Sequence, residues 1–341
     1  MGILFTVLIL AFFVIIVVNI TWMILNFIQI IIHGIQTILQ GNEFVENIIF
    51  STYLKWILLA DVIWIIAFLV FLSKRKHYKT DPKLHYLQYN HILEPKICVI
   101  IPTFNEELAI EYVVKDYINQ KNVNHVIVID NHSSDKTVEI AKRCGATVIT
   151  KTSNKGINHS YYLGFKESLK TDANIIVLTE ADGTYNGYEL ERMASYLDNC
   201  DVVVGTRQAQ ILTEKGNQNS TMHVWGNYFV AKLLQIKYFS VRHLGIIQLT
   251  DVGCSYRCMQ RSALEKIIDK ITFPETDRVV IKSERGLFTL FLTMLAIEND
   301  LKILEIPITF KKRIGFSKMG SNKRIQGIKY GLNFIWFILT R

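Results

Sequence analysis

The chain has 341 residues, half of them hydrophobic, and a formal net charge of +8. That length allows one domain of ordinary size plus additions, and the positive mean hydropathy of +0.23 is high for a wholly soluble protein. Five cysteines (Cys98, Cys144, Cys200, Cys254, Cys258) form an odd, scattered set without a zinc spacing. They point away from a disulfide framework and towards reduced, buried thiols in a cytosol-facing domain.

The charge is unevenly placed, since Met1 to Asn42 holds no Asp, Glu, Lys or Arg. Residues 3–18 open an apolar run that continues to about Leu39. A bilayer crossing takes roughly 20 residues, so one span followed by an interfacial stretch is expected. The run is too long for a signal peptide and lacks a basic start and a small-residue cleavage site. Tyr53–Leu72 is a second span, and the Ser73-Lys74-Arg75-Lys76 behind it marks a cytoplasmic end. A hairpin with both ends in the cytoplasm follows. Asp61 inside the second span is expected to pack the hairpin against Asn19, Thr21 or Asn26. Residues 74–95 read as a basic juxtamembrane linker, either touching anionic head groups or solvated.

From Lys96 short apolar runs alternate with helical patterns. Strands are expected at Ile97–Ile101, Val126–Ile129, Thr147–Ile149, Ile175–Leu178 and Val202–Val204, and helices at 106–119, 135–143, 157–169 and 187–198. This predicts an α/β domain with a mostly parallel sheet, whose ligands sit at the carboxyl ends of the strands.

The strand at Ile175–Leu178 runs out into Glu180-Ala181-Asp182. Two carboxylates one residue apart can converge on a divalent cation and the diphosphate it carries, although acidic turns after strands are common. The other strand ends are polar too: Pro102 to Glu107, Asp130 to Thr137, Asn154-Lys155-Gly156 and Gly205-Thr206-Arg207. Each alone is turn or cap chemistry, as Asp135 would be before a helix. Five in sequence mark a site.

With these residues in view, the stretch from about Lys96 to Lys318 strongly resembles glycosyltransferase family 2. CVIIPTFNEE, VIVIDNHSSDKT and TEADGTY are similar to its first strand, second strand and metal motif. LTDVGCSYRCMQRSAL (249–264) and EIPITFKKRIGFSKMG (305–320) resemble segments of the dolichyl-phosphate mannose and glucose synthases. The Q-x-x-R-W motif of processive polysaccharide synthases is absent. The resemblance implies a nucleotide-sugar-binding glycosyltransferase A-type fold over 96–320. It implies inverting transfer of one sugar from a nucleotide-diphosphate sugar to dolichyl or polyprenyl phosphate. It further implies that Pro102, Phe104, Glu106, Ile129, Asp130, Asn131 and Lys155 bind the nucleotide. Glu180, Ala181, Asp182 and Thr184 would hold Mg²⁺ or Mn²⁺ against the diphosphate. Arg207 and Arg313, with Ser317 and Lys318, would meet phosphates, and Asp251 would face the reacting centre. A phosphate acceptor is already ionised near neutral pH, so it needs cations beside it more than a strong base, although Asp251 could take a last proton. A sugar hydroxyl as acceptor, which would make Asp251 essential, and a scaffold without turnover are the competing readings.

Four positions depart from the mannose synthases. Glu180 replaces Asp, Thr184 replaces Gln, Asn131 replaces Asp, and a Lys expected near Thr289 is missing, with Arg285 close by. These lean towards a UDP-sugar donor over GDP-mannose. Residues 311–329 carry seven basic side chains and no acid, and GLNFIWFIL follows. The 321–341 stretch is expected to be an amphipathic interfacial helix, the tail being too short to span. No nucleic-acid-binding motif accompanies the basic run. The sequence says nothing about oligomeric state.

Overall fold

A computed structural model describes residues 2–40, 52–74, 89–215, 221–239, 248–271, 287–315 and 324–341. It divides into two units: Met1–Lys76 with Ser240–Arg242 and Leu339–Arg341, and His77–Phe239 with His243–Ile338.

The first unit is built on α1 (Gly2–Gln40) and α2 (Thr52–Lys74). Both are runs of Leu, Ile, Val and Phe without proline, and a helix satisfies every backbone polar group internally. The interfacial stretch expected to follow the first span continues the same helix. α1 is one helix about 58 Å long at 1.5 Å per residue, longer than the roughly 30 Å hydrocarbon core. Ile3–Gln36 and Leu54–Ser73 are long and apolar enough to cross a membrane, and only 17% and 11% of their most apolar windows are buried, unlike the core helix of a soluble protein. Asn19 Nδ2 donates to Asp61 Oδ1 at 3.0 Å, as expected, and Trp64 Nε1 donates to the carbonyl of Leu8 at 2.7 Å, which was not. The Trp64 ring lies against Phe12 and Phe68 at 4.8 and 4.9 Å.

The second unit holds a seven-stranded sheet. Its strands are β1 (Ile97–Thr103), β2 (Val123–Asp130), β3 (Thr147–Thr150), β4 (Ile175–Leu178), β5 (Val202–Thr206), β6 (Arg257–Gln260) and β7 (Ile303–Pro307), in the order β3-β2-β1-β4-β6-β5-β7. β1, β4 and β5 are buried throughout, which is why they read as unbroken apolar runs. The helices are α3 (Ile110–Ile118), α4 (Thr137–Arg143), α5 (Ile157–Ser168), α6 (Leu190–Ser195), α7 (Thr221–Tyr238), α8 (Arg261–Ile268), α9 (Leu287–Glu298) and α10 (Arg324–Thr340). α5 lies so close to β1 that a Cβ on Gly164 would stand 2.3 Å from Ile100 Cγ2, so only glycine permits the contact. α9 is apolar and buried over Leu287–Ile297, a core helix. The helix expected over 187–198 is broken into α6 between two 3₁₀ turns.

Two unforeseen strands position the site. β6 runs antiparallel between β4 and β5. Because it enters from the carboxyl ends of its neighbours, the residues just before it, Asp251 to Ser255, arrive at those ends. β7 pairs parallel with β5, Thr206 opposite Pro307, so the chain after Pro307 lies beside Arg207. The last residues of the expected linker are fixed: Asp198 accepts hydrogen bonds from Ile92 N (2.9 Å) and His91 Nδ1 (2.8 Å).

Candidate functional site

A cavity of about 250 Å³ opens at the carboxyl ends of β1, β2, β4 and β5, lined by Pro102, Thr103, Phe104, Glu106, Asn131, Asn154, Gly156, Ile157, Ser160, Tyr161, Glu180, Ala181, Asp182, Thr184, Arg207, Gly253, Ser255, Thr289, Phe310 and Arg313. The pairing register sets Thr103 beside Asp130 and Asp130 beside Thr150, so loops far apart in sequence meet there.

At the end formed by β1 to β3, Asn131 is tied to the loop after β3. Its Nδ2 donates to Asn154 Oδ1 at 2.6 Å, and its Oδ1 accepts from Lys155 N at 3.1 Å. Pro102, Phe104, Glu106 and Asn131, expected to bind the nucleotide, line the cavity. Ile129 and Asp130 do not: both are fully buried, and Asp130 accepts from Ser133 N at 3.2 Å, closing a turn. The sheet interior takes Ile129, and the turn takes Asp130. Lys155 contributes through its backbone N–H. The sequence reading missed Lys151, a buried ammonium that donates to Ser160 Oγ at 2.8 Å and to the carbonyl of Gly156 at 3.1 Å. Burial, then the charge of Lys155, pulls its pKa down to about 8.

In the centre, Glu180 and Asp182 follow β4. The turn needs Gly183, whose φ is +75° and whose Cβ position would stand 2.7 Å from Ile314 Cδ1. Asp182 Oδ1 accepts from Thr184 Oγ1 at 2.6 Å and Thr184 N at 3.1 Å, and Oδ2 accepts from Arg313 Nη1 at 2.8 Å. Thr184, expected as a metal ligand, thus orients Asp182. Arg313 Nη2 also donates to Glu106 Oε1. Glu180 accepts from Ser255 Oγ at 2.5 Å, a partner the sequence reading missed. Burial, then the neighbouring Asp182, pushes the Glu180 carboxyl up to about 7. Two adjacent carboxylates, one already against a guanidinium, suit a hard divalent cation, which takes oxygen ligands. Among the described residues no cluster of three or more His, Cys, Asp or Glu could hold a metal by itself.

At the β5 end, Arg207 is gripped by Asp251: Nε to Oδ2 at 2.6 Å and Nη2 to Oδ1 at 2.8 Å. Asp251 also accepts from the backbone N–H groups of Arg207 (3.2 Å) and Gly253 (3.1 Å). The Arg207 guanidinium and these N–H groups outweigh burial and hold the Asp251 carboxyl below its usual range. This corrects the expectation that Asp251 faces the reacting centre: it is fully buried, both oxygens are engaged, and it does not line the cavity. Phe310, also missed, lies under the Arg207 guanidinium, 5.3 Å from ring centroid to Cζ. α7 comes up to this end, since a side chain on Gly253 would meet Arg207 Nη2 at 3.2 Å and Asn227 Oδ1 at 3.7 Å. Trp225, Tyr228 and Phe229 of α7 are exposed. Thr289 lines the cavity, whereas Arg285, Ser317 and Lys318 lie outside the described residues.

Most of the lining residues anticipated from sequence were carried by strand-end position. Ser255 and Phe310 had no such signal, because they reach the cavity through β6 and β7.

The sequence profile described as Glycosyl transferase family 2 matches residues 98–268. The chain is 29% identical to the polyprenol monophosphomannose synthase of Mycolicibacterium smegmatis, over 66% of this chain and 82% of that one. It is 26% identical to the UDP-N-acetylglucosamine–dolichyl-phosphate N-acetylglucosaminyltransferase of Methanococcus voltae, over 62% of this chain and 84% of that one. A solved structure of the Mycobacterium tuberculosis glucosyl-3-phosphoglycerate synthase with Mn²⁺, uridine-diphosphate-glucose and phosphoglyceric acid aligns at a TM-score of 0.49 and 17% identity, covering 79% of this chain and 86% of that one.

Proposed function

The chain belongs to glycosyl transferase family 2 and is a glycosyltransferase, and on that premise we propose that it transfers a single sugar, with inversion, from a nucleotide-diphosphate sugar to a polyprenyl or dolichyl phosphate. The observation that carries the acceptor is the pairing of Asp251. A sugar hydroxyl would need a carboxylate free to take its proton. At the β5 end Asp251 is instead fully engaged with Arg207 and two backbone N–H groups. A cation fixed in that position suits an acceptor that arrives already ionised. The exposed Trp225, Tyr228 and Phe229 beside Asn227 give an apolar surface for the lipid chain.

The donor diphosphate would lie beside the Asp182–Arg313 ion pair, with the nucleoside along Pro102, Phe104 and Asn131. A divalent ion, Mg²⁺ or Mn²⁺, held by Glu180 and Asp182 would neutralise the leaving diphosphate. Arg313 adds a second cation at the same place, and Arg207 orients the attacking oxygen behind the sugar carbon. A UDP-sugar is the favoured donor. Asn131 and Thr184 stand where the resemblance leads one to expect Asp and Gln in the mannose synthases; the Asn131 side chain is engaged with the loop after β3 and that of Thr184 with Asp182. The apolar hairpin would anchor the enzyme as a multi-pass membrane protein with its catalytic unit in the cytoplasm, as the basic residues after α2 suggest.

Purified protein with Mn²⁺, polyprenyl phosphate and radiolabelled UDP- and GDP-sugars tests this reading. Label from one donor should enter the organic phase. Metal-dependent hydrolysis of a donor without any lipid product would overturn the acceptor assignment.

A further inference from the structure

We propose that Glu305 is a positioning residue for the acceptor phosphate: it fixes the loop that carries Asp251, and through Asp251 it fixes Arg207. This rests on the acceptor reading above.

Glu305 lies on β7 opposite Val204 of β5, two residues short of the strand end that faces the cavity. Its carboxylate turns to the loop entering β6. Oε1 accepts from Thr250 N at 3.0 Å and Asp251 N at 2.9 Å, and Oε2 from Thr250 N at 2.7 Å and Thr250 Oγ1 at 2.8 Å. The Thr250 hydroxyl is in turn 2.8 Å from that of Thr206, the last residue of β5, and Thr206 Oγ1 accepts from Gln208 N at 3.2 Å. The residues on both sides of Arg207 are therefore tied to the loop that Glu305 holds. Asp251, whose backbone N–H ends on Glu305, then grips Arg207 with both carboxylate oxygens.

The residue type follows from the donors. Two adjacent backbone N–H groups and a hydroxyl converge on one point, and a carboxylate can accept all of them at once. Such charge-assisted bonds are shorter and more directional than neutral ones. Burial raises the Glu305 pKa, so the site tolerates the charge only with those donors in place. The same strand braces Arg207 a second time, because Phe310 follows it and lies under the guanidinium. An arginine side chain left loose must lose rotamer freedom when it takes a phosphate, and one held beforehand does not. Glu305 touches neither substrate; its effect should appear in acceptor affinity and not in donor affinity.

The experiment compares Glu305→Ala and Glu305→Gln with the wild-type enzyme. It measures KM for polyprenyl phosphate, KM for the donor, the rate of donor hydrolysis and Tm. Glu305→Ala is expected to raise the acceptor KM at least tenfold and leave donor KM and donor hydrolysis within about twofold. Glu305→Gln keeps one carbonyl oxygen for the two N–H groups and should fall between. Should the alanine variant fail to fold, the glutamine variant decides: a raised acceptor KM with an unchanged donor KM supports the assignment. An unchanged acceptor KM, or donor and acceptor KM rising together as Tm falls, overturns it. Absence of lipid transfer by the wild-type enzyme would instead overturn the acceptor reading itself.

Discussion

Replacing Arg313 with alanine should destabilise the metal-free catalytic unit and make Mn²⁺ a stronger stabiliser than it is for the wild-type protein. The guanidinium holds Asp182 at 2.8 Å and also Glu106, and the three side chains are 16%, 6% and 11% exposed. Hydrogen bonds to charged groups contribute about 1.5–3 kcal/mol each, and breaking a largely buried pair costs roughly 3–5 kcal/mol. Asp182 keeps its two bonds from Thr184, which places the net loss near the low end, about 3 kcal/mol. For a domain of this size about 1 kcal/mol moves Tm by roughly 2–4 °C, so a fall of about 6–12 °C is expected. A divalent ion at Asp182 restores the cation that the substitution removes. The wild-type protein already has a guanidinium there, which competes with the ion for Asp182. Thermal unfolding of detergent-purified protein with and without Mn²⁺, and without nucleotide, reads both effects. Equal stabilisation of the two proteins by Mn²⁺ would refute the reasoning, because Asp182 and the metal would then be independent.

Two further outcomes rest on the same site. Glu180 has a folded pKa raised to about 7; between the usual carboxylate range and that value the folded state binds more protons than the unfolded one, so metal-free stability falls as pH rises through this window. Mn²⁺ must displace that proton, so its affinity should climb up to about pH 7 and then level off, and Glu180→Gln should flatten the titration, as calorimetry in the absence of nucleotide would show. Asp182→Ala should lower kcat by at least about a hundredfold, on the scale of removing one preorganised electrostatic group, while circular dichroism stays native; near-normal turnover would remove the metal-site assignment.

β1, β4 and β5 were readable because they are buried on both faces and so leave unbroken apolar runs such as Ile175–Leu178. Each run stops where a polar loop begins; that position marked Glu180 and Asp182, whereas the roles of Pro102, Asn131 and Arg207 came from the family resemblance. β6 escaped notice because RCMQ, with Arg257 at its start and Gln260 at its end, has neither an apolar run nor alternation. The role given to Asp251 changed for a related reason: an acid near a motif looks available until its partner is known.

From the sequence alone came what depends on local composition: two apolar helices, an α/β domain with its chemistry at strand ends, and an acid pair suited to a cation. Tertiary structure decided which charges neutralise which. Arg313 meets Asp182 from 131 positions away, and Glu305 reaches Thr250 from 55. Those pairings follow from the β4-β6-β5-β7 order, which lays one antiparallel strand between parallel neighbours and brings three distant loops to one edge. Sheet order is set by the summed packing of whole elements, and no short stretch of residues encodes it.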